Sequence, residues 1–118
     1  MEHKKEIENL ANDFQKCQEI LVAIGDVNRQ HMIVEMLRTG RCSGIRINEI
    51  IASTNLSKPT VSRHLKILKD AGLLKMRQEG TKHYYYFDPE PESMELLMDV
   101  FSRTMQITSS LPDRSGEQ

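Results

Sequence analysis

Apolar positions along the chain recur at helical spacing in five blocks, and one short stretch between the fourth and fifth alternates as strands do. In the first block Ile7, Leu10, Phe14, Cys17, Leu21 and Ile24 are spaced 3, 4, 3, 4 and 3. That near-heptad predicts one long first helix of about five turns with a narrow seam suited to a partner helix. Gly25 ends it. Asp26 is placed to cap a second helix whose buried side is Met32, Ile33, Met36 and Leu37, with Gly40 as its stop. The segment 41–46, RCSGIR, reads as a short connection.

The third and fourth blocks lie together in residues 47–68, INEIIASTNLSKPTVSRHLKIL. Ile47, Ile50, Ile51 and Thr54 form one stripe, and Asn55 falls where the chain reverses, because asparagine tolerates a left-handed backbone. Ser57 is the expected N-cap of the next helix, with Lys58, Pro59 and Thr60 in its first turn, where the proline N–H is not missed. Val61, Leu65 and Leu68 must then pack inward, leaving Lys58, Ser62, Arg63, Lys66 and Lys69 on outer faces. Two amphipathic segments joined by a tight turn, the second cationic outside, form a helix-turn-helix.

Asp70, Ala71 and Gly72 close that helix, with Gly72 as the left-handed residue and Leu73 and Leu74 folding back to the core. Leu74–Arg77 and His83–Phe87 read as two strands, and Gln78–Lys82 holds the Gly80 of a hairpin tip. Pro89 and Pro91 interrupt the pattern, with Asp88 or Ser93 as capping groups. Met94, Leu97, Met98, Phe101 and Met105 then predict a last amphipathic helix able to complete the seam with the first. The organisation expected is one domain over residues 1–108, with 109–118 a polar, disordered tail.

At 118 residues and 38% hydrophobic the chain suits a single modest core. No apolar run is long enough to span a bilayer and the charged start MEHKKEIEN lacks a signal peptide's apolar centre, so a cytoplasmic protein is expected. Cys17 and Cys42 are too few for a disulfide scaffold. The net charge of −1 hides a segregation: residues 55–83 hold seven Lys or Arg against two acids, a balance of +5 that leaves −6 for the rest. Phosphate binding draws on local cationic surface of this kind.

Short polar side chains near a helix start reach base edges, and arginine meets guanine's two major-groove acceptors with a two-pronged donor. Ser62 and Arg63, with Thr60 and His64, are therefore the expected base readers, while Ser57, Lys58, Lys66, Arg77, Lys82 and His83 are placed to position the DNA backbone. Tyr84 or Tyr86 is a further candidate for a backbone hydrogen bond, although a tyrosine run also simply suits strands. His31, near the start of the second helix, reads as a solvated or capping residue.

The phrases IGDVNRQHMIVEML and TVSRHLKILKDAGLL, with the tyrosine run downstream, resemble the ArsR family of bacterial winged-helix repressors. The resemblance covers roughly residues 20–88 and is most specific from Ser57 to Leu74, where Thr60, Val61, Ser62, Arg63, His64 and Leu65 follow the family pattern. Two departures are Ile51, where alanine is commonest, and Asn55, in place of the usual glycine. The resemblance implies a mainly α fold with a small β-hairpin, a winged helix-turn-helix dimerised through its first and last helices, acting on double-stranded DNA at a palindromic operator.

Many members of that family are released from DNA by a metal, and the residues for it are missing here. The paired thiolates at the start of the helix before the turn are replaced by Arg46 and Asn48, neither a ligand for a soft metal. The other common site needs an Asp, x, His element and a later His, x, x, Glu on the last helix. Here Phe101 stands two residues after Asp99, and no histidine follows His83. No metal or cofactor is therefore expected, and the inducer is left open. A thiol switch at Cys17 or Cys42 is the remaining candidate, against the reading of Cys17 as a small inert hydrophobe. A winged helix also serves some proteins as an interaction module without DNA binding. The Ser, Arg and Lys face of the fourth helix favours DNA over that alternative, and no phosphate loop, carboxylate pair or Cys–His motif points to an enzyme. The order of preference is a homodimeric repressor, then an interaction module, then an enzyme.

Overall fold

In the computed structural model, residues 3–39 and 44–112 are described. Gly40 and Cys42, predicted above as a helix stop and a candidate thiol, lie outside them. The chain divides into two compact units, residues 18–90 and the two terminal segments, 1–17 with 91–118.

The terminal unit is a helix pair, α1 (Lys4–Lys16) and α6 (Pro91–Ser109). Pro91 opens α6 at a position where its absent N–H costs nothing. Arg103 of α6 reaches Asp13 of α1 at 2.6 Å and Asp99 one turn back at 3.0 Å, and the Phe14 and Phe101 rings meet edge-on at 6.5 Å. The guanidinium holds the Asp13 carboxyl below its ordinary range. Leu97 and Val100 are the buried face of α6, whereas Met98, Phe101 and Met105 are exposed, as is Ile7 of α1. The helix runs one residue into the predicted tail, to Ser109.

The single long first helix expected from the heptad does not form. Its seam is divided at Cys17, which has φ −93° and ψ 1° and whose N–H is shared between the Asp13 and Phe14 carbonyls, tightening the last turn. The apolar spacing gave no sign of the break because the Cys17 side chain is still buried. The second half is a separate element, α2 (Gln18–Ile24), in the other unit.

That unit continues with α3 (Val27–Thr39), a two-residue strand β1 (Ile45–Arg46), α4 (Ile47–Ser53), α5 (Lys58–Asp70), β2 (Leu74–Glu79) and β3 (Lys82–Phe87). Asp26 caps α3 as expected, accepting the Arg29 N–H at 3.1 Å. Met32 and Met36 are buried, but Leu37 is 59% exposed and the third inward position is taken by Arg29. His31 donates from Nε2 to the Ser53 carbonyl at 2.7 Å, tying α3 to the end of α4.

Asn55 does not make the turn by a left-handed backbone: no described non-glycine residue has positive φ. Thr54 makes it instead. In extended conformation at the end of α4, its hydroxyl donates to the Ile51 carbonyl at 3.1 Å and accepts the Leu56 N–H at 3.2 Å. Ser57 then caps α5 by accepting the Thr60 N–H. Val61, Leu65 and Leu68 are buried, and α5 packs on α2, α3, α4 and β2. It ends in the paired bonds of a Schellman motif, Leu73 N–H to the Leu68 carbonyl and Gly72 N–H to that of Lys69.

β2 and β3 form an antiparallel hairpin with Leu74 opposite Phe87 and Glu79 opposite Lys82, so the tip is only Gly80 and Thr81. Each strand is longer at the tip than predicted. The connection 41–46 also carries a strand the pattern did not show: β1 pairs with β3, Ile45 opposite Tyr85, giving the sheet order β1-β3-β2. Two residues are too few for an alternation to register.

Candidate nucleic-acid interface

Helix α5 exists because Ser57 and Pro59 start it and Gly72 stops it; which way it faces is fixed by Val61, Leu65 and Leu68 beneath. Ser57, Lys58, Ser62, Arg63, Lys66 and Lys69 are consequently exposed on one continuous outer surface. Lys58, Ser62 and Arg63 make no hydrogen bond or ion pair with other described residues, so their donors are available. Lys66 is held by Asp70 at 2.8 Å, and that partner raises its pKa, keeping it cationic. Thr60 is half-buried, and its hydroxyl accepts from Ser57 Oγ at 3.0 Å. Its role is first that of a helix-start residue.

His64 departs from the expected base readers. The structure places it on the inner side of α5, 7% exposed, with Nδ1 2.9 Å from Arg29 Nη1. Burial, and the neighbouring Arg29 and Arg63 charges, push its pKa down, while Asp26 pulls the other way. An inward ring cannot reach a base edge. The helical pattern held the signal, since residue 64 lies three after Val61 and four before Leu68. Arg29 was missed altogether, although it stands three residues before Met32 and seven before Met36, on the same stripe.

On the hairpin, Lys82 and His83 are exposed beside the tip. Arg77 is half-buried, stacked 4.6 Å over the Tyr84 ring of β3 and paired with Glu79 of β2, so it is held against its own hairpin. Tyr84 and Tyr86 are both half-buried. Between α5 and the sheet lies a cleft lined by Ser62, Leu65, Lys66, Lys69, Asp70 and Tyr85. Tyr85 thus joins the polar surface that Ser62, Lys66 and Lys69 begin.

The positions matching the family's thiolate site, Arg46 and Asn48, stand at the start of α4, where the Arg46 N–H donates to Glu49 at 2.9 Å. Among the described residues no group of three His, Cys, Asp or Glu side chains is placed to hold a metal, and no helix is long and apolar enough to cross a membrane. Burial raises the pKa of the Cys17 thiol, which disfavours the reactive thiolate.

The sequence model described as bacterial regulatory protein, arsR family, matches residues 29–75, from the buried arginine through α5 to the start of β2. An uncharacterised HTH-type transcriptional regulator of Methanocaldococcus jannaschii, MJ1325, is 40% identical over 73 residues, 62% of this chain and 79% of that protein. The chain belongs to the ArsR family. The family is one of bacterial regulatory proteins, and MJ1325 is described as a transcriptional regulator. The fold agrees: the crystal structure of the ArsR family transcriptional regulator RHA00566 superposes with a TM-score of 0.69 at 15% identity, over 83% of this chain and 95% of that one. The solution structure of Mb0332 from Mycobacterium bovis, described as a homodimeric winged helix-turn-helix DNA-binding domain, does so with a TM-score of 0.52 at 18% identity, over 97% and 96%. The ArsR-family chain is therefore a winged helix-turn-helix, with α4 and α5 as the helix pair and β2–β3 as the wing.

Proposed function

We propose that this ArsR-family regulator is a cytoplasmic, homodimeric, sequence-specific repressor that sets the α5 helices of two protomers into successive major grooves of an imperfectly palindromic operator. The observation that carries the reading is the outward, unpaired Ser62 and Arg63 over a buried Val61–Leu65–Leu68 underside. Ser62 and Arg63 read bases; Lys58, Lys66 and Lys82 meet phosphates, with Ser57, Thr60, Arg77 and His83 in supporting positions. Support for a dimer comes from the exposed Met98, Phe101 and Met105 of α6 and from the homodimeric description of Mb0332. With residues 1–108 as the working domain, two-fold symmetry would set the half-sites about one helical turn apart, roughly 34–36 Å. Nothing among the described residues supplies the family's familiar metal ligands, so the inducing signal is sought elsewhere.

Selection of bound fragments from genomic DNA, followed by footprinting, tests this directly. With the selected duplex, Arg63→Ala is expected to cost on the order of 1–3 kcal/mol and to relax specificity at one position of each half-site. Lys66→Ala should weaken all sequences alike and lower the salt dependence by about one unit of slope. Binding that is indifferent to both substitutions would refute the assignment.

A further inference from the structure

Two groups that seldom lose their solvent meet in the interior of the winged-helix unit. Arg29 is 8% exposed and His64 7%. Each of the three guanidinium nitrogens has a partner: Nε donates to the Ala23 carbonyl at 2.7 Å, Nη2 to that of Val22 at 3.2 Å, and Nη1 lies 2.9 Å from His64 Nδ1. Arginine has donors and no acceptor. Nδ1 must therefore present its lone pair, which makes the ring neutral with its proton on Nε2. The two carbonyls belong to the last turn of α2, where a cation is also favoured by the helix end. One side chain thus ties the end of α2, the start of α3 and the middle of α5.

His64 directly follows Arg63 and lies two residues beyond Ser62, on the opposite side of the same helical turn. Where the imidazole is held determines how α5 is rotated and how those two side chains are presented. We propose that Arg29 and His64 are positioning residues for DNA reading, and that their link holds only while the imidazole is neutral, so that protonating His64 lowers operator affinity. This rests on the DNA-binding reading above and adds a proton as a signal the site responds to.

The sign follows from the groups around the ring. The charges acting on it are Asp26 and Arg29 at the start of α3 and Arg63 on α5 itself; α2 contributes only its carbonyls. Burial and the two arginines outweigh Asp26, so the folded protein holds the imidazole below the usual histidine range near 6.5. A depressed folded pKa contributes stability that is fully present above about 6.5 and is lost as pH falls through the folded value. A second positive charge 2.9 Å from the guanidinium, with no lone pair left to receive its N–H, separates the pair. General protonation of a protein strengthens its attraction to phosphate, so a loss of affinity in acid runs against the nonspecific trend.

The experiment compares the full chain with His64→Asn, whose side-chain oxygen can take the place of Nδ1 as an acceptor and does not titrate. Both carry His83→Gln, which removes the titratable wing residue. Fluorescence anisotropy with the selected operator duplex is followed from pH 7.5 to 5.5 at fixed ionic strength. The parent dimer is expected to lose affinity by up to about a hundredfold per pH unit once below the folded pKa, the limit for two linked protons, one from each protomer, while His64→Asn binds equally at pH 7.5 and loses less. Parallel profiles overturn the proposal. Nitrogen NMR of the unsubstituted protein decides the link independently of DNA and of how the variants fold. A neutral, Nε2-protonated His64 whose titration shifts the Val22 and Ala23 amides upholds it; an Nδ1-protonated ring, or unmoved amides, overturns it. A folded protein that binds no duplex at any pH would instead sink the DNA-binding reading, leaving the NMR result to judge the Arg29–His64 link.

Discussion

Replacing Met98 and Met105 together with glutamate is expected to leave a folded monomer that binds operator DNA on the order of 10²–10⁴-fold more weakly. The two residues are 68% and 69% exposed, lie seven apart on α6, and flank Phe101, itself 48% exposed. Ile7 of α1 adds a fourth exposed apolar side chain on the paired helix of the same unit. Large apolar side chains left in water along one helix mark a surface that is covered in the working molecule, and a second copy of the chain is the occupant proposed here. Glutamate forms helix about as well as methionine, so α6 itself is not weakened. Two-fold symmetry places four new carboxylates into the interface, where desolvation and mutual repulsion oppose association.

The loss on DNA is large because a dimer binds its second half-site as an intramolecular event, and a monomer forfeits that advantage without losing a single base contact. Sedimentation velocity should report a species near 13.6 kDa, the mass of one chain, with unchanged helical circular dichroism. Anisotropy should show a half-site duplex bound about as well by the variant as by the parent. A variant still dimeric at micromolar concentration, with undiminished operator affinity, would show that Met98 and Met105 are not the dimer surface.

Helix α5 was legible in the sequence because every level of its information agrees. Ser57 and Pro59 start it, Val61, Leu65 and Leu68 share a face, and Gly72 stops it. Ser62, Arg63 and Lys66 then have only the outside to occupy. His64 is the opposite case: its chemistry suits DNA, but its helical phase puts it inside. A polar residue is buried when a specific partner satisfies it, and that partner, Arg29, is 35 positions away.

The first and last helices were harder to read. Spacing identifies an apolar stripe but not what covers it, so the α6 positions were grouped as one seam, whereas Leu97 and Val100 are buried and Met98 and Met105 are not. The break at Cys17 preserves the period on both sides and is invisible to it. Thr54 took the turn expected of Asn55 because a hydroxyl bonded to local backbone achieves the reversal without any left-handed residue.

Gly44→Ala is expected to be the most destabilising single-methyl addition among the described glycines, and the reason is the strand that spacing did not reveal. Gly44 enters β1 with φ +85°, a conformation that costs a side-chain-bearing residue about 1–3 kcal/mol. Its added Cβ would also lie 2.7 Å from the Tyr85 carbonyl oxygen and 3.1 Å from the carbonyl carbon. Both are backbone atoms of β3, which cannot swing aside as a side chain does, so β1 must draw away from β3. Because β1 leads straight into α4, the displacement reaches the first helix of the helix-turn-helix. Gly72→Ala is the matched comparison: φ is +79°, but the nearest atom to its Cβ is the flexible Glu90 Cγ at 3.4 Å. Gly72→Ala should lose the backbone term alone, and Gly44→Ala that term plus the pairing of β1, lowering the melting temperature by roughly 10 °C or more. Urea unfolding of the two variants measures the difference. Equal losses would mean that left-handed geometry alone accounts for Gly44, and that its close approach to Tyr85 does not hold the edge strand in place.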